Sequence, residues 1–249
     1  MHNFFVSEKD RDGDRFYITG TDYNHIVNVL RMKEGNSFIV SCEGKGNLCE
    51  ILEIDESTVT ALITQENYND TDLPVEVYLF QALPKSDKME LIIQKAVELG
   101  VSKIIPTEMN RCVVKLDQKK KKSKRERWQS IAESAAKQSK RNVIPEVTDV
   151  LSFGQMLEKA KQLDLFLVPY ESKEGMKSTE KALSEIRKGM KIGILIGPEG
   201  GFEPYEIEKA ENAGGVTVSL GARILRTETA AITSVAIIML YTEIKGDAL

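Results

Sequence analysis

Ile192-Gly-Ile-Leu-Ile-Gly-Pro-Glu-Gly-Gly-Phe-Glu-Pro204 is the stretch on which the fold turns. Residues 192–196 form an apolar run without alternation, the pattern of a strand covered on both faces. A glycine-containing turn, Ile196-Gly-Pro-Glu-Gly-Gly-Phe202, follows, and Pro204 is a favoured first residue for the helix that comes next. The same order recurs at once, with a strand over 216–220, a turn through Gly221 to Arg226 and a helix over 227–241. Both turns belong at the carboxyl ends of parallel strands, where open α/β sheets bind ligands. Glycine there lets the backbone come close to a flat ligand and offer it N–H and C=O groups.

Upstream, the same alternation runs back to residue 75. Strands are expected over 75–83, 103–106 and 165–168, and helices over 87–99, 125–139, 178–188 and 204–213. Met89, Ile92, Ile93 and Ala96 lie at helical spacing, with Gly100 as a stop. Strands separated by helices predict a parallel sheet covered on both faces. Residues 1–72 read differently. Phe38-Ile-Val40 and residues 58–63 are strand-like around a turn at 43–47, and residues 22–32 form a short helix capped by Asp22. The polar run 67–74 is the linker, so the reading is a β unit over 1–72 and an α/β domain over 73–249.

Of the 249 residues, 41% are apolar and 29% charged, which excludes a disordered or fibrous chain. The net charge of −4 hides a split. Residues 115–141 hold eleven bases and three acids, a net of +8, whereas residues 1–72 carry six bases and fourteen acids, a net of −8. A strip this basic in an acidic chain can neutralise phosphates, which points to a nucleic acid. Within it, residues 118–125 are low in complexity and read as a solvated surface loop.

Other chemistries find no support. The three cysteines, Cys42, Cys49 and Cys112, are odd in number and lack a Cys-x-x-Cys pair, and with only His2 and His25 no metal site is expected. There is neither a phosphate-binding Gly-x-x-x-x-Gly-Lys loop nor a Gly-x-Ser-x-Gly elbow. No signal peptide is evident, and the most apolar run, 230–241, is too short to span a bilayer; a soluble cytoplasmic protein is expected. Arg226 stands out among the charges, because a cation is disfavoured at the start of a helix, whereas Glu228 is favoured there.

Ile196 to Phe202 together with Leu220-Gly-Ala-Arg-Ile-Leu-Arg-Thr-Glu-Thr-Ala230 resembles the signature of the RsmE family, SPOUT-class methyltransferases of small-subunit ribosomal RNA. Further matches are Ala82-Leu-Pro-Lys85, residues 93–101, Arg111-Cys-Val113, Glu126-Arg-Trp128, Gln138-Ser-Lys-Arg141, His25 and Val29-Leu-Arg31. The resemblance implies a PUA-like β-barrel followed by a SPOUT domain with a parallel sheet and a C-terminal trefoil knot. It also implies a homodimer, S-adenosylmethionine as cofactor, and methyl transfer to N3 of a uridine in 16S rRNA, free or in the small subunit. Carried over, the cofactor residues are Val168, Pro169, Glu171, Ile196, Gly197, Gly200, Gly201, Ser219, Leu220, Gly221, Ile224 and Leu225. Arg226 matches an arginine near the point of methyl transfer, and Glu199 is the nearest candidate for removing the N3 proton, or else a structural carboxylate. RNA contacts are expected at Arg11, Arg31, Lys85, Arg111, Gln138 and Arg141. The chain departs from the family pattern at Asn3, often basic there, and at Lys137, often acidic. A methyltransferase of another RNA such as tRNA, or a non-catalytic ribosome-assembly factor, is the alternative.

Overall fold

The computed structural model describes residues 1–170, 175–246 and 249. The chain forms two compact units, Met1–Asp72 with Ala136–Ile144, and Leu73–Ala135 with Pro145–Leu249. The sequence reading leaves 136–144 downstream; the structure counts it with the first unit.

That first unit contains β1 (Asn3–Phe5), β2 (Arg11–Asp12), β3 (Arg15–Ile18), the short helix α1 (Gly20–Asn24), β4 (Ser37–Cys42), β5 (Lys45–Ile54) and β6 (Val59–Asn69). The sheet order is β1-β4-β5-β6-β3-β2; β1 and β4 are parallel and all other pairs antiparallel. The β4–β5 hairpin closes through only two residues, Glu43 and Gly44, with φ of 47° and 76°. Two successive positive φ values match the right-handed twist of the flanking strands, so the turn is tighter than the expected 43–47. Phe38, Val40 and Cys42 alternate into a core with Phe4, Phe16 and Ile51.

The opposite face of β4 explains why 136–144 joins this unit. Ile39 and Ser41 are buried there too, and the Ser41 hydroxyl lies 3.4 Å from both the Arg141 carbonyl and Asn142 Oδ1. Asn3 donates to the Arg141 carbonyl at 2.9 Å and accepts from Ser41 at 3.0 Å, so a neutral amide suits this buried position. The Arg141 guanidinium, 4% exposed, sits 2.8 Å from Asp72. The helix expected at 22–32 is broken: α1 gives way to a π-helical turn over His25–Val29, and Asp22 lies in the first turn of α1 instead of capping it. Its carboxylate pairs with Lys137 at 3.0 Å, which gives this chain's basic residue at 137 a local partner. All three cysteines of the chain are free and buried, and desolvation pushes the Cys42 and Cys49 thiols up to about 12.

The second unit holds β7 (Glu76–Ala82), α2 (Lys88–Glu98), β8 (Lys103–Glu108), most of α3 (Gln118–Ser139), β9 (Glu146–Val147), β10 (Leu151–Ser152), α4 (Phe153–Ala160), β11 (Leu165–Pro169), α5 (Met176–Ser184), β12 (Lys191–Ile196), α6 (Pro204–Asn212), β13 (Gly215–Val218) and α7 (Thr227–Lys245). Every strand pair is parallel, in the order β10-β8-β7-β12-β11-β13, with β9 beside β8. Leu79, Ile104, Ile192, Ile194 and Leu195 are completely buried, as central parallel strands require.

Helix α3 corrects one expectation. It starts at Gln118, so residues 118–125 are helical turns and not a loop. Asp117 accepts the Lys120 amide at 2.8 Å, and that bond holds its carboxyl below the usual range. Helix α4 went unread in the sequence, although Ser152 and Gln155 form a capping box at its start. Among the described residues, no helix is long and apolar enough to cross a membrane, and no group of three or more His, Cys, Asp or Glu is placed to hold a metal ion.

Candidate functional site

The strand order sets the location of the site. From β7 the chain passes through α2 to β8 on one side, whereas from its neighbour β12 it passes through α6 to β13 on the other. Adjacent parallel strands whose connections diverge leave a crevice at their carboxyl ends. The loops after β12 and β13 meet there beside Pro169 and Tyr170 at the end of β11.

The loops after β12 and β13 are tied down by side chains from their surroundings. The Thr227 hydroxyl donates to the Gly197 carbonyl at 2.7 Å and accepts from Gln81 Nε2 at 3.1 Å, a buried chain linking β7, the β12 loop and the start of α7. Thr179 of α5 donates to the Ser219 carbonyl at 2.6 Å and accepts the Ser219 amide at 3.1 Å. Arg111 donates to the Gly200 carbonyl at 2.9 Å and grips Glu203 at 3.0 Å. Glu206, 1% exposed, accepts the amides of Asn110 and Glu203 at 3.0 and 2.8 Å, so the loops after β8 and β12 are joined through α6. At Gly197 a Cβ would stand 3.1 Å from the Phe202 ring, a tight contact that the ring would have to relieve by shifting. Gly221 is required by its φ of +105°.

Two cavities flank the segment around Ile224 and Leu225. One, of about 610 Å³, is lined by Pro169, Tyr170, Met176, and Ser219 through Leu225. The other, of about 520 Å³, is lined by Lys88, Tyr170, Ile196 to Glu199, Gly201, Phe202 and Arg226. Both volumes fall in the range of small-molecule sites. Of the residues expected to bind cofactor, Pro169, Ile196, Gly197, Gly201, Ser219, Leu220, Gly221, Ile224 and Leu225 line one cavity or both. Val168 is instead buried within β11, and Gly200 packs on Arg111. Glu171 lies outside the described residues. Tyr170, in the loop 168–171 that the resemblance assigns to the cofactor, is exposed at the rim of both cavities, and its ring meets Phe202 edge-on at 6.1 Å.

The charges around the second cavity are unequal in freedom. Glu199 accepts the Lys85 amide at 3.0 Å and pairs with Lys88 at 3.1 Å. Burial alone would push its carboxyl up, but its own amide, the Lys85 amide and the Lys88 ammonium outweigh that and hold it below the usual range. Lys88 also reaches Glu228 at 3.2 Å. Arg226, the residue preceding α7, is exposed at the cavity and makes no ion pair among the described residues.

A family model described as an RNA methyltransferase domain matches residues 71–239. The chain belongs to this RNA methyltransferase family. A second model, an RNA methyltransferase PUA domain, matches residues 18–64. The curated Ribosomal RNA small subunit methyltransferase E of Bacillus subtilis is 43% identical over 99% of this chain and 100% of its own length. The crystal structure of a Ribosomal RNA small subunit methyltransferase E from Neisseria gonorrhoeae, bound to S-adenosyl methionine, aligns with a TM-score of 0.79 and 30% identity, covering 96% of this chain and 97% of that one. A protein from Legionella pneumophila solved in complex with the same cofactor aligns with a TM-score of 0.78 and 31% identity, covering 96% of both chains.

For an RNA methyltransferase, the residues expected to meet RNA are differently committed. In the first unit Arg31 and Gln138 are exposed, Arg11 pairs with Glu66 at 2.7 Å, and Arg141 is buried against Asp72. In the second unit the Lys85 side chain is exposed, whereas Arg111 is spent on Gly200 and Glu203. Lys121 pairs with Glu108, Arg125 with Asp149 and Arg127 with Glu90, leaving Lys119, Lys122 and Lys124 of this helix without an ion-pair partner among the described residues.

Proposed function

We propose that this methyltransferase moves a methyl group from S-adenosylmethionine to N3 of a uridine in 16S rRNA of the small ribosomal subunit. The observation that carries the reading is a pair of cavities meeting at Ile224 and Leu225, with Arg226, which has no ion pair among the described residues, at one of them. The named relatives supply the class of RNA and the donor. The fit to the donor is good: glycine-bearing loops offer backbone groups to a flat ring, and Leu220, Ile224 and Leu225 offer apolar cover. Bound there, S-adenosylmethionine supplies an electrophilic methyl group.

The residues of this chain then have separable tasks. Ser219 to Leu225 and Gly197 to Gly201 hold donor and acceptor in line, and such alignment supplies roughly 7–11 kcal/mol of barrier lowering. Once N3 has given its proton to solvent, negative charge rests on the uracil carbonyls, and Arg226 would offset it until N3 takes the methyl carbon as the carbon–sulfur bond breaks and S-adenosylhomocysteine leaves. Glu199 suits the role of base poorly, since its carboxyl is held low by three donors. Glu199→Gln is expected to slow turnover without changing the shape of the kcat–pH profile; disappearance of an acid limb would restore it as the base.

The reading includes a homodimer, a C-terminal trefoil knot and a cytoplasmic location. Helix α7 supports the homodimer, because Leu240 and Ile244 are 52% and 80% exposed on a helix that is apolar along most of its length. The insertion of β12 between β7 and the earlier strand β11 supports the knot. The N-terminal unit, matched by the PUA model, acts as an RNA-binding accessory domain in this reading, with Arg31 as a contact.

The test is calorimetric titration with S-adenosylmethionine, followed by mass mapping of ribosomal RNA from a deletion strain. Binding of the donor and one unmethylated uridine in 16S rRNA are expected. Failure to bind would leave a pure assembly factor, and a loss confined to tRNA would move the substrate. Lys→Ala changes at 119, 122 and 124 are expected to weaken RNA binding and reduce the slope of log K against log salt by up to about 0.7–0.9 per lysine, measured between 50 and 200 mM salt.

A further inference from the structure

We propose that Lys88 is a positioning residue for methyl transfer: it clamps Glu199 of the β12 loop to Glu228 of α7 and thereby sets where Arg226 stands. The inference rests on the methyl-transfer reading above. Its ammonium lies 3.1 Å from Glu199 and 3.2 Å from Glu228, and the three side chains are only 26%, 24% and 16% exposed. One charge therefore joins the first residue of α2, the loop after β12 and the first turn of α7.

Local preferences do not account for this lysine. A cation in the first turn of α2 opposes the helix dipole, just as Arg226 does at α7, so its place depends on tertiary partners. Glu199 has a second partner, whereas Glu228 has Lys88 as its ion pair among the described residues. Glu199 is anchored by the Lys85 amide, and Glu228 is favoured by the dipole of α7. Without Lys88, two carboxylates that share one ammonium would repel each other. Arg226 stands two residues before Glu228, so a shift in the first turn of α7 moves it directly.

The fold itself does not depend on the clamp. The start of α7 is already tied by the neutral chain from Gln81 through Thr227 to Gly197, and Ala231, Val235 and Ile238 are buried along the helix. What Lys88 adds is accuracy at a charged rim.

The full-length protein is assayed as Lys88→Met, Lys88→Arg and the double variant Lys88→Met/Glu228→Gln, by single-turnover methylation of small-subunit RNA, KM for RNA and thermal melting. Lys88→Met is expected to lose roughly 10²-fold in rate, the cost of a misplacement of about 1 Å, with little change in KM. Lys88→Arg is expected to recover much of that rate. The double variant, relieved of the repulsion, is expected to melt like the wild type and remain slow. A wild-type rate in Lys88→Met, a loss that merely tracks its unfolded fraction, or a fast double variant would overturn the proposal. Wild-type protein runs alongside: if it methylates the RNA, the functional reading stands whatever Lys88 does.

Discussion

Arg226→Ala is expected to lower the methylation rate constant roughly 10²- to 10³-fold, the loss seen when one donor to a developing negative charge is removed. The fold and the donor site are expected to survive. Arg226 is exposed, precedes α7 without a side-chain cap bond, and makes no ion pair among the described residues, so no buried group is orphaned by its loss. The affinity for S-adenosylmethionine, measured by calorimetry, is expected to stay near wild type, because Ser219 to Leu225 line the larger cavity without Arg226. Lys at this position keeps the charge but loses the planar fork, and is expected to recover only part of the rate. Wild-type turnover in folded Arg226→Ala would remove the electrostatic role.

Thr227→Val is expected to be the most damaging conservative change in the site. Valine keeps the shape but deletes a hydroxyl that both accepts from Gln81 and donates to the Gly197 carbonyl. Gln81 is completely buried and Thr227 is 5% exposed, so water is poorly placed to replace those bonds. The Gly197 carbonyl loses its hydroxyl donor at a cost of about 1–3 kcal/mol, and Gln81 Nε2, which keeps the Ala82 carbonyl at 2.9 Å, loses one of two acceptors at about 1 kcal/mol, so the total lies near 2–4 kcal/mol and the melting temperature falls by several degrees. The Gly197 loop loses its tether at the same time, and donor affinity is expected to fall at least about tenfold, a change of 1.4 kcal/mol. Urea unfolding with and without S-adenosylmethionine separates the two effects. A variant as stable as the wild type would show that the Gln81–Thr227–Gly197 chain contributes little.

Much of the second unit was legible because its signals are local. The unbroken apolar run at 192–196 needs a parallel sheet around it, and Gly197 with Pro204 marks the strand-to-helix turn. Gly100, with φ of +96°, ends α2 where its type predicts. Other local signals were present but unread. Ser152 with Gln155, and Glu203 with Glu206, have the three-residue spacing of capping boxes. Lys88 broke the same dipole rule that singled out Arg226. The lysine run at 119–122 passed for a loop because its charge obscured the cap at Asp117.

What the sequence by itself determined is the alternation of strands and helices from residue 75 onward, the two glycine loops and the placing of Arg226 at the start of the last helix. These depend on periodicity, backbone freedom and helix ends, all set within a few residues. The tertiary structure alone decided which charges are free to act. Arg111 and Arg226 are equally basic as letters, yet one is consumed by Gly200 and Glu203 while the other has no ion pair among the described residues and stands at the cavity. It also joined 136–144 to the first unit and drew Glu199 and Glu228 onto Lys88. Pairing of this kind depends on distances between residues far apart in the chain, and no local pattern encodes those distances.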